Sequence, residues 1–545
     1  MAVLPGTSVL FTAVGALIVV YMITSLIKLI RWRLHIISLR RDGLPMPPYS
    51  ILFGHLPVVM KIVSSLPKDA FEHYLLDQIR RTYPDLGPNF YLDLAPFAPS
   101  MLILTSPDTL YQVTQQHPLE KVPAMRTFLK PLTQGYDIVT MKGEVWKKWR
   151  GVFNPAFSAS NLMNLVPAMV EKTDIFYSIL QEHADRQDII AMKTLTNNLA
   201  MDIIGQVVID QNFDCQRTLN PLVDSIRKQI GWLSFGAEPN PFNRYHPLRP
   251  LMHWYYGSKV NSYISEQLEK RFDDYKQNDA ITTGSVVSTT FKTYYSDNLE
   301  MLEFRVQGKE KSQETKEMDP LFKNICIAQI KLFLFSGHHT TSSSICYTLY
   351  LLSKHPDSLK LVQQELNSVF SKDREHISNL ISENPHLLNS IPYTTAVIKE
   401  TLRLYPTVSS PRAGEPDFFV TDSQSRIFPT ENFLVWLNPH PTHHAPELWD
   451  QPDDFLPGRW LGDQKSRIKK GAWRPFDHGP RNCIGQELAM LELKIVICKV
   501  ARDFVISDVY ERGKAAEKMQ VDGDRAYQAL LGMPTEDLPC RIKKV

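Results

Sequence analysis

Between Pro320 and Pro356 the chain runs for 35 residues, Leu321 to His355, without a proline. A single helix of that length spans roughly 50 Å, the width of a large domain, so the rest of the chain must pack around it. Further helical patterns run from Pro356 to about Phe370, from Thr394 to Leu404 and across 484–501. Short strand patterns occupy 90–94 and 101–106, separated by Pro96 and Pro99, with others at Phe418–Val420, Phe433–Leu437 and Leu538–Ile542. The expectation is a mainly α fold with a smaller β-rich side. The polar stretch 306–318 reads as a flexible surface loop.

The N-terminus carries a second constraint. Ser8 to Ile27 is 20 residues long and has no charged side chain. As a helix it covers roughly 30 Å, the thickness of bilayer hydrocarbon. Lys28, Arg31, Arg33, Arg40 and Arg41 follow before the first acid, Asp42. Positive charge after the apolar run, not before it, argues against a cleaved signal peptide. It places the bulk of the chain in the cytosol. The expected organisation is a membrane anchor at 1–30, a basic and proline-rich linker at 31–50, and one catalytic domain at 51–545. A net charge of +2 gives no reason to propose a nucleic-acid partner. The six cysteines, Cys215, Cys326, Cys346, Cys483, Cys498 and Cys540, form no C-x-x-C pair and are too sparse for a disulfide scaffold.

Cys483 stands apart because of its surroundings: Phe476-Asp477-His478-Gly479-Pro480-Arg481-Asn482-Cys483-Ile484-Gly485. Gly479 and Gly485 permit a tight loop whose backbone N–H groups can face the sulfur. A helix from about Gln486 turns its positive end toward the same atom. This stretch matches F-x-x-G-x-R-x-C-x-G at every fixed position, and here the chain resembles the cytochrome P450 family. The resemblance implies a fold built around one buried haem b, with Cys483 as the thiolate ligand of iron. It also places Arg481 on a haem propionate and Phe476 beside the ring, shielding the sulfur.

Three further segments follow the family order. Glu400 and Arg403 match E-x-x-R, and at i and i+3 they share a helix face. Pro452 to Trp460 resembles P-x-x-F-x-P-E-R, with Gly458 where glutamate is usual, and would bring Arg459 to Glu400 and Arg403 as structural support. Trp146 and Arg150 match W-x-x-x-R and can both donate to a propionate. Arg412 is a further propionate candidate. Ser336-Gly337-His338-His339-Thr340-Thr341 resembles [AG]-G-x-[DE]-T-T. Gly337 would let the long helix approach the haem. Hydroxyls from Thr340 onward would bond back to carbonyls and loosen the helix. Thr340 would handle bound dioxygen and relay protons. His339 replaces the usual acid and, titrating near neutrality, could shuttle protons instead. His338 and His339 are expected on different helix faces, which argues against a shared metal site.

The resemblance implies a monooxygenase that inserts one oxygen atom of O2 into an apolar small molecule. The S-G-H-H-T-T variant and the C-terminal segment resemble fungal enzymes of secondary metabolism, which suggests a polyketide or terpenoid intermediate. No G-x-G-x-x-G fingerprint is present, so electrons from NADPH are expected through a separate cytochrome P450 reductase on the endoplasmic reticulum membrane. Two other readings are a haem-thiolate enzyme that rearranges an oxidised substrate without reductase, motivated by His339, and a haem carrier or sensor. Pocket walls are expected within 122–140, 229–250, 332–340, 407–411 and 527–531.

Overall fold

The long helix begins at Pro320, where a proline loses no intrahelical hydrogen bond. Asp319 caps it, its Oδ1 accepting from Leu321 N at 2.7 Å and Phe322 N at 3.1 Å. The computed structural model describes residues 5–235, 245–277, 284–295, 317–370, 376–510, 520–529 and 532–545, with side chains from residue 12 onward. Residues 306–316 of the expected loop lie outside these, as do 236–244, 530 and 531 of the expected pocket walls.

The central helix runs unbroken to Lys354. Ser336, Thr340, Ser344 and Thr348 each donate a hydroxyl to the carbonyl four residues earlier, at 2.7–2.9 Å. These back-bonds do not open the helix, contrary to the sequence expectation, because the main-chain ladder stays helical throughout. Helix Met192–Ile209 packs along one side, and helices Pro392–Leu404 and Gln486–Asp503 pack along others. A close approach falls at Gly337, where a Cβ would stand 2.9 Å from Cδ1 of Ile204. Glycine therefore serves helix–helix packing there as well as the cavity below.

The β-rich side holds a four-stranded sheet in which Met101–Leu104 pairs antiparallel with Asn89–Leu92 and parallel with Leu434–Leu437. Leu434–Leu437 pairs on its other edge with Ser410–Ala413. Pro539–Lys544 pairs with Phe504–Asp508 and Ile190–Ala191, and Phe419–Thr421 with Ile427–Pro429. Ser410–Ala413 and Phe504–Asp508 were not expected as strands. The first holds Pro411 and the second continues directly from a helix, so neither carries local strand punctuation.

The N-terminal helix spans Pro5–Arg41, and Thr12–Arg41 is the one described helix long and apolar enough to cross a membrane. Its last turns pack against the β-rich side. Ile36, Leu39 and Leu44 are buried with Tyr91, Leu102 and Phe433 in a core cluster. Trp32 Nε1 donates to Asp93 Oδ1 at 3.1 Å and Arg33 pairs with Asp93, which is fully buried. Tyr49 and Ser100 donate to the same carboxylate at 3.0 and 2.8 Å. The basic stretch after the apolar run is thus bolted to the sheet, because its alternate side chains find apolar and acidic partners that lie 50 and more residues away.

Candidate active site

Gly479 makes the cysteine loop possible. Its φ is +82°, and a Cβ would stand 2.0 Å from the carbonyl oxygen of Thr114. The loop then closes through Cys483 N donating to Phe476 O at 2.9 Å. Cys483 alone among the six cysteines has accessible surface, which it presents to a cavity of about 350 Å³ deep within the surrounding protein. Burial pushes its thiol up, while the Gly485 N–H and the positive charge of Arg150 offset part of that rise.

The cavity has three kinds of wall. Phe128, Leu129, Phe333 and Phe335 make an apolar side. Gly337, Thr340, Thr341 and Ser344 bring the hydroxyl-bearing face of the central helix to it. A basic rim holds Lys121, Arg150 and Arg481 beside Trp146. Arg481 lies 4.4 Å over the Trp146 ring and donates to Glu120 at 2.6 Å and Met141 O at 3.1 Å. Arg150 donates to Asn154 at 2.7 Å and Asn482 at 3.1 Å. Burial lowers both arginines and brings Lys121 down to about 7. Such crowded, dehydrated cations describe a site for an anionic group.

Comparison with known proteins decides what this arrangement is. Residues 45–520 match the family model described as Cytochrome P450. The chain belongs to the cytochrome P450 family. It is 42% identical over 98% of its length to the cytochrome P450 monooxygenase polC of Polytolypa hystricis, covering 95% of that protein. It is 31% identical to acrF of Aspergillus aculeatus, over 86% of this chain and 96% of the other, and 28% identical to ptmG of Penicillium ochrochloron, over 93% and 92%. The solved haem domain of cytochrome P450DA shares the fold, with a TM-score of 0.70 at 19% identity over 92% of this chain and 97% of that one. The protein is a P450 monooxygenase, and the cofactor of its family is haem.

The residues present fit that group. A sulfur opens on an apolar slot, and the basic rim stands ready for two propionates. Bound metal would supply the positive charge that the buried sulfur lacks. Phe476 lines the slot beside Cys483. Arg412 does not line it: its guanidinium donates to Asp477 at 2.7 Å and Leu119 O at 3.2 Å. His339 does not line it either. Its ring lies 3.9 Å from that of His338, so the two rings pack together although consecutive helix positions point in different directions. Burial, with Lys193 and Arg227 nearby, lowers His339 to about 4 instead of leaving it near neutrality. His338 is fully buried, its Nδ1 facing Leu334 O at 2.5 Å.

Glu400 and Arg403 are fully buried on helix Pro392–Leu404, away from the cavity. Arg403 holds Glu400 through two bonds of 2.9 and 2.8 Å, and its remaining donors reach the carbonyls of His443, Pro452 and Asp454. Arg459 Nε and Trp460 Nε1 reach Glu400 at 3.0 and 2.9 Å. Gly458 leaves nothing unsatisfied here, since Arg459 finds Glu400 and the carbonyls of Asp450 and Gln451. Sequence reasoning missed Lys121, Asp477 and Glu492. Asp477 joins Arg412 to Arg474, at 2.7 and 2.5 Å. Glu492 lines the cavity, and burial raises its carboxyl well above the usual range. Lys121 reaches the rim by a strand-like bridge to Arg412, a pairing between segments too distant in sequence to leave a local signal.

Proposed function

We propose that Cys483 is the thiolate ligand of a haem whose propionates are held by Arg481, Arg150, Trp146 and Lys121, and that the enzyme inserts one atom of O2 into an apolar polyketide or terpenoid intermediate of a secondary-metabolite pathway. The observation that carries this reading is a single apolar cavity onto which the Cys483 sulfur and the Thr340 face of the central helix both open. Haem, when bound, supplies the redox centre at which dioxygen is reductively activated. Thr340 holds a movable proton: its hydroxyl donates to Ser336 O at 2.8 Å and keeps its lone pairs for a second partner. Phe128, Phe333 and Phe335 exclude water and favour an apolar substrate. The fungal relatives, each named as a cytochrome P450 monooxygenase, support the reaction class.

Electrons come from NADPH through a separate P450 reductase on the same membrane. The N-terminal helix anchors the enzyme in the endoplasmic reticulum with its catalytic domain in the cytosol, as the basic residues following the apolar run support. The reductase-free rearrangement loses its motive, since His339 lies outside the cavity.

The test is mass spectrometry of extracts fed to cells that express this chain with and without a reductase. A product heavier by one oxygen atom, requiring NADPH and reductase, is expected. Cys483→His should abolish both the product and the red-shifted Soret band of the reduced carbon monoxide complex. Turnover without NADPH would return the rearrangement reading, no turnover with an intact reductase would favour a haem carrier, and survival of the red-shifted band would remove Cys483 as the ligand.

A further inference from the structure

Leu332 lines the haem cavity, but its neighbour Lys331 lines a different pocket. This second pocket, about 360 Å³, lies between helix Pro123–Thr133, helix Arg249–Gln277 and the first turns of the central helix. Lys331 is only 2% exposed. Its Nζ donates to Asn261 Oδ1 at 3.0 Å, and no carboxylate among the described residues pairs with it. An ammonium has three donors, so two remain to be met. Burial alone brings Lys331 down to about 8, which leaves it largely charged at neutral pH. A buried cation without a counter-ion weakens a fold, and that calls for a function or a partner.

The surroundings define the partner. Lys323, the other cation on the wall, is already paired with Glu269. One uncompensated positive charge therefore remains, and it matches a monoanion. A phosphate dianion would leave a buried negative charge in excess. Ser262 and Asn324 add a hydroxyl and an amide, while Leu132 and Ile327 add an apolar wall. We propose that this pocket binds the carboxylate of an amphiphilic monoacid, with Lys331 as its counter-ion. Leu129 and Leu332 face the haem cavity from the same two helices that present Leu132 and Lys331 to this pocket. The acid is the polar end of the substrate itself or a separate molecule lodged behind the cavity wall. The site lies outside the haem cavity and stands whatever substrate the haem oxidises.

The experiment titrates the full-length haem-loaded protein calorimetrically with octanoate and with octanamide, its neutral analogue, and repeats this for K331M, K331Q and K331R. Octanoate should bind at least about tenfold more tightly than octanamide, as expected for a charge-assisted hydrogen bond to an ammonium. K331M and K331Q should lose that preference and K331R should keep it. Octanoate should raise the Tm of the parent and not of K331M. Without acid, K331M should melt no lower than the parent, because it removes an unpaired buried charge. Equal binding of the two probes, a preference that survives in K331M and K331Q, or a lower Tm of acid-free K331M would overturn the proposal. A Soret shift on octanoate saturation identifies the acid as the end of a substrate that reaches the haem. An unshifted Soret band identifies a separate acid.

Discussion

Thr340 presents its side chain to the cavity while its hydroxyl proton rests on Ser336 O, 2.8 Å away. A group that can exchange that partner for one in the cavity is suited to passing a proton. Thr340→Ala should lower product per NADPH consumed by about tenfold or more, with the difference recovered as hydrogen peroxide and the haem spectrum unchanged. An unchanged ratio would remove the assignment. His339 differs, because its titration lies near 4 and its ring is outside the cavity. His339→Phe should leave the pH profile of that ratio flat or sloped as in the parent between about pH 6 and 8. Were the slope to vanish, His339 would be a shuttle after all. The motif residues were legible one by one, since glycine, cysteine and arginine at those spacings have few other reasons to coincide. The environment of His339 was not, because it depends on burial by distant segments and on Lys193 and Arg227, more than a hundred residues away.

Among the elements, the N-terminal helix departs most from expectation. Its apolar run reads directly as a membrane span, but its continuation into the domain does not. Trp32, Arg33, Ile36 and Leu39 lie on consecutive turns and reach Asp93 and the sheet together. These contacts fix the C-terminal turns of the helix against the sheet. Asp93→Ala would strand the buried Arg33 charge and should destabilise the domain by about 3–5 kcal/mol. Thermal melting with limited proteolysis after Arg40 and Arg41 reads this, with earlier melting and faster cleavage expected. Unchanged rates would show that apolar packing alone holds the helix. The helix carrying Glu400 and Arg403 was legible from its i, i+3 spacing. The carbonyls of His443, Pro452 and Asp454 that complete its network were not, since carbonyls have no sequence identity.

At the scale of the whole molecule, many histidines are buried in neutral form. Burial lowers His55 to about 4, His339 to about 4 and His440 to about 3, and pushes His73, His338, His443 and His444 well below their ordinary value. Unfolded, each would take up a proton as the pH drops below about 6.5, and folded they cannot. Stability is therefore full above that value and is lost as the pH falls toward 4. His55 alone corresponds to about 3 kcal/mol. Asp477, held low by Arg474 and Arg412, adds to the loss in stronger acid, while Glu492, raised by burial, opposes it. The Tm of the haem-loaded protein should decrease steadily from pH 7 to pH 5. A constant or rising Tm would mean that these imidazoles are not buried neutral.

The amino-acid order by itself determined the central helix, the long apolar N-terminal helix, the cysteine loop and the family, because each is written in residues near one another: a run without proline, a run without charge, glycines at set distances from one cysteine. The packing of those pieces decided the rest. Only the folded chain brings Lys121 to the basic rim, turns Arg412 onto Asp477, neutralises His339 and encloses Lys331 without a counter-ion among the described residues. The physical reason is that burial and charge act through space. A side chain's titration and partners depend on which distant segments displace its water, and the order of residues does not record that until the chain has folded.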